Sequence, residues 1–441
     1  MKRFFIFWSV VSLFGMSLFS STFANQSIKL QTETKSLRYL KIKEAAAKAL
    51  LQNPTLSAFS LEKRVKEAQT LQAGLRPNPH LEMKIDDLAG SGKFSEFDSS
   101  EITIQLGQLI ELGGKRAARV NASRISEKLA DWDYKSKRLD VLTEVNKAFV
   151  EVLMAQHKVS LSKDLIKLGN QFYNAVSERV RVGKIAPIEK IKAGVVLSTF
   201  KLEKKQTKMM LEKSRRKLSS TWGSNEPEFI SVIGNLFEIA PVTPLQPLNR
   251  KVSETPYHQR WETVEDQRKA ILELEQSKRT PDITIKGGYR RLEETNDNAI
   301  TFGVSVPLKL FNRNQGAISE AQNNLAKIKE ERRASELKIN KAFLEAYQVL
   351  VFAHSQASTL QSETIPAAQK VFDGINEGYR FGKFSFLDVL DSQKILFQTK
   401  EQYLDALADY HIALAEVNRM TNGLIYGDTI TEKSAMEKNS K

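Results

Sequence analysis

The sequence predicts a mainly α-helical protein with a small β part, in which the unit helix–strand–strand–long helix–turn–helix occurs twice. Three observations predict it. First, the string V-R-V-G-K-I-A-P-I-E-K-I-K-A at Val180–Ala193 is echoed by Y-R-F-G-K-F-S-F-L-D-V-L-D at Tyr379–Asp391. Gly183 matches Gly382, Lys184 matches Lys383, Glu189 matches Asp388 and Ile191 matches Leu390. One such turn would be an ordinary helical hairpin, but two at a fixed offset, each at the far end of a longer repeated pattern, point to internal duplication. Second, four short stretches alternate apolar and polar residues with the period of a strand that has one apolar face. Third, a helical pattern starting at Leu112-Gly113-Gly114 runs unbroken to Arg181, which at 1.5 Å per residue is on the order of 100 Å. An ordinary globular domain has no use for a helix of that length.

Met1–Ala24 opens with Lys2 and Arg3, continues apolar from Phe4 to Phe19 and closes on Thr22-Phe23-Ala24. This is the pattern of a secretory signal peptide cleaved after Ala24, leaving a mature chain that begins at Asn25 with an extension over 25–41. The chain has no cysteine, which excludes disulfides, thiolate metal sites and lipid attachment at the mature N-terminus. No later window offers about 18 uninterrupted apolar residues, so no transmembrane helix is expected after processing. The net charge is +14, but the basic residues are spread beside acids, as in Lys327–Arg333. That distribution reads as solvated helix faces, and no nucleic acid partner is expected.

The first repeat is expected over 42–223. Ile42–Leu75 is helical, kinked at Asn53-Pro54 and stopped before Pro77 and Pro79. Leu81, Met83 and Ile85 alternate with Glu82, Lys84 and Asp86, and Ile102, Ile104 and Leu106 with Thr103 and Gln105. These predict strands at about 79–88 and 100–111, joined by a polar loop. In the long helix that follows, Ile125, Leu129, Trp132, Leu139, Leu142, Phe149, Val152 and Val159 keep spacings of three, four or seven, as in coiled-coil packing. A tip turn at about 181–188 leads to a returning helix that ends at Gly223.

Residues 224–254 hold Pro227, Pro241, Pro244 and Pro247 and read as a linker, with a short strand at Glu228–Val232. The second repeat, 255–424, restarts with a helix stopped before Pro281. Strands follow at about 281–291 and 299–308, then a helix from Asn314 to Arg380. Pro366 flaws that helix roughly where Gly169 falls in the first copy, and both residues are expected to weaken it. A tip turn at about 380–387 and a helix from Phe386 to Thr421 complete the repeat. The polar residues 425–441 are expected to be disordered.

Four strands with one lipid-compatible face cannot close a barrel alone, since single-chain membrane barrels need at least about eight, and in a membrane every edge must be paired. Three copies would supply twelve. The returning and leading helices, laid end to end, match the long helix and could run beside it throughout. The competing readings are a soluble sheet packed on helices and an exported, non-channel coiled-coil protein.

The duplicated plan resembles the outer membrane factor (TolC-like) family over nearly all of the mature chain. L-R-P-N-P-H-L at Leu75–Leu81, E-L-G-G-K-R-A-A-R-V at Glu111–Val120 and A-L-A-D-Y-H-I-A-L-A-E-V at Ala406–Val417 resemble its heavy-metal cation efflux branch. The resemblance implies a trimeric 12-stranded outer membrane β-barrel continuous with a long periplasmic α-helical barrel. It implies a passive exit duct for heavy-metal cations, or alternatively for drugs or a type I secreted protein. Its implied partners are two further copies of the chain, outer membrane lipid, a periplasmic adaptor (membrane fusion) protein and a proton-driven inner membrane RND pump.

No catalytic constellation is legible. His80, His157, His258, His354 and His411 are scattered, none at ligand spacing from another, so no enzyme activity, cofactor or resident metal is expected. By resemblance, Asp388 and Asp391 align with carboxylate rings that narrow the family's periplasmic entrance; the competing reading is helix-start carboxylates held by the helix dipole. Glu189 aligns with an acid that locks the closed entrance and Tyr379 with its hydroxyl partner. Where the family's best-known member adds an arginine this chain has Phe384, with Lys383 beside it. Arg181, Gly183, Lys184, Arg380, Gly382 and Lys383 form the tips expected to dock the adaptor.

Overall fold

The computed structural model describes residues 37–88, 90–95 and 97–421. The expected signal peptide, most of the N-terminal extension and the C-terminal tail lie outside the described residues. In chain order, β1 (Leu37–Lys41), α1 (Ile42–Gln52), α2 (Pro54–Gly74), β2 (His80–Asp86), β3 (Glu101–Ile110), α3 (Lys115–Arg181) and α4 (Pro187–Ser220) come first. Then β4 (Phe229–Ile233) and α5 (Leu245–Val252) lead to α6 (Pro256–Ser277), β5 (Ile283–Leu292), β6 (Asp297–Ser305), α7 (Gln315–Thr359), α8 (Ile365–Arg380) and α9 (Phe386–Met420).

The four repeat strands form one antiparallel sheet in the order β2-β3-β5-β6, so β2 and β6 are its edges. The register places Met83 opposite Ile104, Ile104 opposite Tyr289 and Tyr289 opposite Ile300. One face is therefore apolar, and the other carries Glu82, Thr103, Gln105, Lys286 and Arg290. The strands are slightly shorter than the alternation predicts. The fourth ends at Ser305 rather than near 308, two residues before Pro307, which has no N–H to offer a ladder. The expected polar loop at 292–298 is only a four-residue connection, in which Asn296 takes a left-handed conformation with φ 59°.

α3 is a single helix that packs against α2, α4, α6 and α9. The leading helix is not kinked but divided. Pro54 excludes the helical conformation from Asn53, which is extended at ψ 119° and caps α2 by accepting from the Leu56 N–H at 2.8 Å. The Asn53 amide also donates to the Thr221 carbonyl at 2.8 Å, so α4 ends where α2 begins, and the two lie in line along α3. Gly169 does not weaken α3, contrary to expectation. A Cβ there would stand 2.8 Å from the Phe200 ring, so the glycine is what lets α4 approach. Pro366 does act: a π-turn, Leu360–Thr364, separates α7 from α8, giving the i−4 carbonyl room that a regular helix would deny the ring.

Residues 224–254 are not a loose linker. β4 pairs with β1 in a second sheet, so the end of the expected N-terminal extension is structured too. Phe229, Val232 and Leu236 are buried with Leu40, Val145, Val152, Leu218, Trp222 and Leu407 in the largest core cluster. The Tyr410 hydroxyl donates to the Ala240 carbonyl and accepts from its N–H, both at 3.0 Å. α5 buries Val252 beside Phe343 and Tyr410. Proline here ends helices without preventing the segment from packing.

Candidate functional site

The two tip turns are the same structure twice. After α3, the Gly183 N–H bonds to the Val180 carbonyl at 3.0 Å and the Lys184 N–H to the Arg179 carbonyl at 2.9 Å. After α8, Gly382 bonds to Tyr379 at 3.1 Å and Lys383 to Gly378 at 2.9 Å. This pair of bonds is the Schellman closure, which needs a left-handed residue; Gly183 and Gly382 supply it at φ 74° and 77°. Beyond each turn the acid occupies the third helical position, but the two differ. Asp388 accepts from the Ser385 N–H and hydroxyl, both at 2.7 Å, and those bonds hold its carboxyl below the usual carboxylate range. At the matching cap position α4 has Ala186, which offers no hydroxyl, and Glu189 pairs with Lys192 at 2.9 Å instead.

Tyr379 is buried, with its hydroxyl unbonded within the chain, so the structure does not bring Glu189 and Tyr379 together in one protomer. The Tyr379 ring lies 6.3 Å from that of Phe386, which in turn lies 6.5 Å from Phe172. Val176, Ala193, Phe372 and Val389 belong to the same cluster, which joins the two hairpins of the chain below their tips. Phe386 is only 8% exposed, buried inside its own protomer. Phe384 is half-exposed and lies against Gly378, where it has room only because no Cβ is present. Asp391, Lys184, Arg380 and Lys383 are exposed. Arg181 pairs with Glu178, its Nε donating at 3.0 Å. Alternate apolar residues at the tips, Val182 with Phe381 and Ile188 with Leu387, are also open to solvent.

Sequence reasoning missed Arg179 and Ser385. Ser385 was legible, since Ser-x-x-Asp before an apolar run is a capping signature. Arg179 was not, because its partners are far away in sequence.

At the other end, the sheet's apolar face leaves Leu81, Met83, Leu106, Tyr289, Ile300 and Phe302 exposed. The opposite face pairs Lys286 with Glu82 at 2.7 Å and Arg290 with Glu101 at 3.0 Å. Glu111, Lys115 and Arg119 build the elbow between sheet and helices. Arg119 clasps Glu111 and donates to the Ala73 carbonyl at 2.8 Å, and Lys115 reaches Asp282 at 2.6 Å. Among the described residues no helix is long and apolar enough to cross a membrane, and no group of three or more His, Cys, Asp or Glu side chains could hold a metal ion.

An amphipathic sheet with two open edges, carried on long paired helices with matched turns, defines a membrane channel protein whose barrel is continued by helices. The chain belongs to the outer membrane efflux protein family, whose model matches residues 45–224 and 261–423, one match on each repeat. It is 32% identical over 381 residues to the cobalt-zinc-cadmium resistance protein CzcC of Cupriavidus metallidurans, covering 86% of this chain and 90% of that one. The branch resemblance read from the three strings agrees with this relative. The fold matches CusC with a TM-score of 0.72 at 16% identity, over 88% of this chain and 94% of that one. It matches the CmeC outer membrane channel of Campylobacter jejuni with a TM-score of 0.71 at 14% identity, over 87% and 85%. The chain is an outer membrane efflux channel protein.

Proposed function

We propose that three copies of this chain close one twelve-stranded barrel in the outer membrane, and that its duct is the exit of a tripartite system expelling heavy-metal cations. A periplasmic adaptor docks on the basic and apolar tips, at Arg181, Gly183, Lys184, Arg380, Gly382 and Lys383, and a proton-driven inner membrane RND pump supplies the cargo. The observation that carries the assembly is the pair of open edges, β2 and β6. An unpaired edge in hydrocarbon is prohibitive, and the alternating directions of the four strands let β6 of one copy meet β2 of the next antiparallel. The cargo reading rests on the CzcC relative, named for cobalt, zinc and cadmium resistance. Glu189, Tyr379 and Phe384 act in closing the entrance, while Asp388 and Asp391, each present three times, line a cation-favouring constriction. Light scattering of the purified protein in detergent is expected to give the mass of a trimer, and a stable folded monomer would refute the assembly. Deleting the gene is expected to sensitise cells to cobalt, zinc or cadmium. Sensitivity to drugs alone, or retention of a secreted protein, would refute the metal cargo and leave the duct.

A further inference from the structure

Between β6 and α7 the chain presents an apolar surface that neither of its repeats covers. Leu308 is 80% exposed, Leu310 66% and Phe311 89%. This segment is pinned. The Lys309 ammonium donates to the Lys278 carbonyl at the end of α6. Asn314 donates to the Glu275 carbonyl and carboxylate, both at 2.8 Å, and the Gln315 side chain donates to the Phe311 carbonyl at 3.1 Å. The polar groups turn inward, and three large apolar side chains are held outward on an ordered backbone, the mark of a surface that meets a partner.

The internal duplication indicates what covers it. In the first repeat, the connection from β3 to α3 lies against the residues that lead into β5. The Leu112 N–H donates to Asp282 at 3.0 Å, and Lys115 reaches the same carboxylate at 2.6 Å. A Cβ on Gly113 would stand 2.6 Å from Thr280 and 3.0 Å from the Ser277 carbonyl. β3 has β5 beside it, whereas β6 is an edge of the sheet, with no strand beyond it among the described residues. The antiparallel order continues with a second copy's β2, which runs in the direction of β5. The lead-in to β2 is Leu75–Pro79, the counterpart of Ser277–Pro281, with Pro79 matching Pro281. There the exposed large apolar residues are Leu71, at 71%, in the last turn of α2, and Leu75, at 51%, the residue that caps it.

We propose that the Leu308–Phe311 segment of one copy seats on Leu71 and Leu75 of the next, a clasp at the base of each seam between copies. It rests on the trimeric assembly proposed above. Within one chain the equivalent joint is made by a tethered ion pair; between chains it is made by apolar burial.

The chain has no cysteine, so cross-linking tests the clasp cleanly. The full protein in detergent, carrying Leu308→Cys with Leu75→Cys or Leu310→Cys with Leu71→Cys, is treated with a short bis-maleimide. Covalent dimers and trimers are expected on denaturing gels, and monomers from each single-cysteine chain. Trimers by light scattering that never cross-link would overturn the clasp and leave the assembly intact. Monomers by light scattering would overturn the assembly, and the clasp with it. A fluorophore on Phe311→Cys, in vesicles, is expected to be quenched by spin-labelled lipid less than half as strongly as one on Ile300→Cys of the apolar sheet face. Equal quenching would show a lipid cover and overturn the proposal.

Discussion

The guanidinium of Arg179 lies 4.5 Å from the ring centroid of Tyr379 and donates to the carbonyls of Tyr379 and Arg380, each at 3.3 Å. A residue of the first tip thus closes the last turn of the second. It places a cation where the terminal carbonyls of α8 concentrate negative charge and covers the aromatic face beneath it.

Arg179→Ala is expected to loosen the second tip by about 1–2 kcal/mol, with little change in global melting. Hydrogen exchange reads this as faster amide exchange at residues 378–390. Arg179→Lys retains the charge but not the planar fork and is expected to fall between the parent and the alanine variant.

The proposed gate is tested at the Tyr379 hydroxyl, which is buried without a partner in the protomer. An unsatisfied buried hydroxyl costs roughly 1–3 kcal/mol, so Tyr379→Phe is expected to leave the single chain as stable as the parent or more so. Combined with Glu189→Ala, it is expected to raise single-channel conductance in planar bilayers. A conductance equal to the parent's would remove both residues from the closing contact.

Asp388 and Asp391 are tested by selectivity and pH. Hydrogen bonds from Ser385 lower the Asp388 pKa. The stabilisation they bring is present above the unfolded carboxylate value of about 4 and is lost as pH falls through the lower folded value. Cation preference is therefore expected to persist into mild acid. Ser385→Ala should move its acid midpoint upward, and Asp388→Asn with Asp391→Asn should lower the cation-to-anion permeability ratio severalfold at neutral pH. An unchanged ratio would leave Asp388 as a helix cap and Asp391 as an exposed helix side chain, with no part in a constriction.

Gly288 lies in β5 opposite Gln105, and a Cβ there would run into the Ile104 carbonyl and stand 2.7 Å from the Gln105 Cα. Backbone cannot yield as a side-chain tip can. Gly288→Val is expected to break the β3–β5 ladder and to abolish the proposed trimer, read by light scattering in detergent. Gly287→Val, at a position with open space around it, is expected to be tolerated.

Features encoded by local period were legible. The alternation of Leu81 to Ile85 and of Ile300 to Val304 located the strands, and the Gly183 and Gly382 echo located both turns, because a Schellman closure depends on a few consecutive residues. Features made by distant partners were not. Prolines at 241, 244 and 247 suggested a linker, yet the segment is held by Tyr410, 170 residues from Ala240. The Phe386 pattern showed an apolar residue but not which surface it would bury against. The proposed gate residues rest on resemblance, and within the chain the Tyr379 hydroxyl has no partner.

The π-turn at Leu360–Thr364 makes the two hairpins of the chain mechanically unequal. A π-turn stores one residue of slack, and drawing it out into regular helix rotates everything beyond it by about 100° about the helix axis. In this chain the rotated part is Ile365–Arg380, with Tyr379 on it, whereas α3 has no such store along its 67 residues. The helix leading to the second tip therefore carries a wider turn than the helix leading to the first, and the Arg179 clasp and the Phe172–Phe386 cluster are what fix the azimuth of the segment beyond it. Two tips closed by the same Schellman bonds are thus carried on helices that are not built alike.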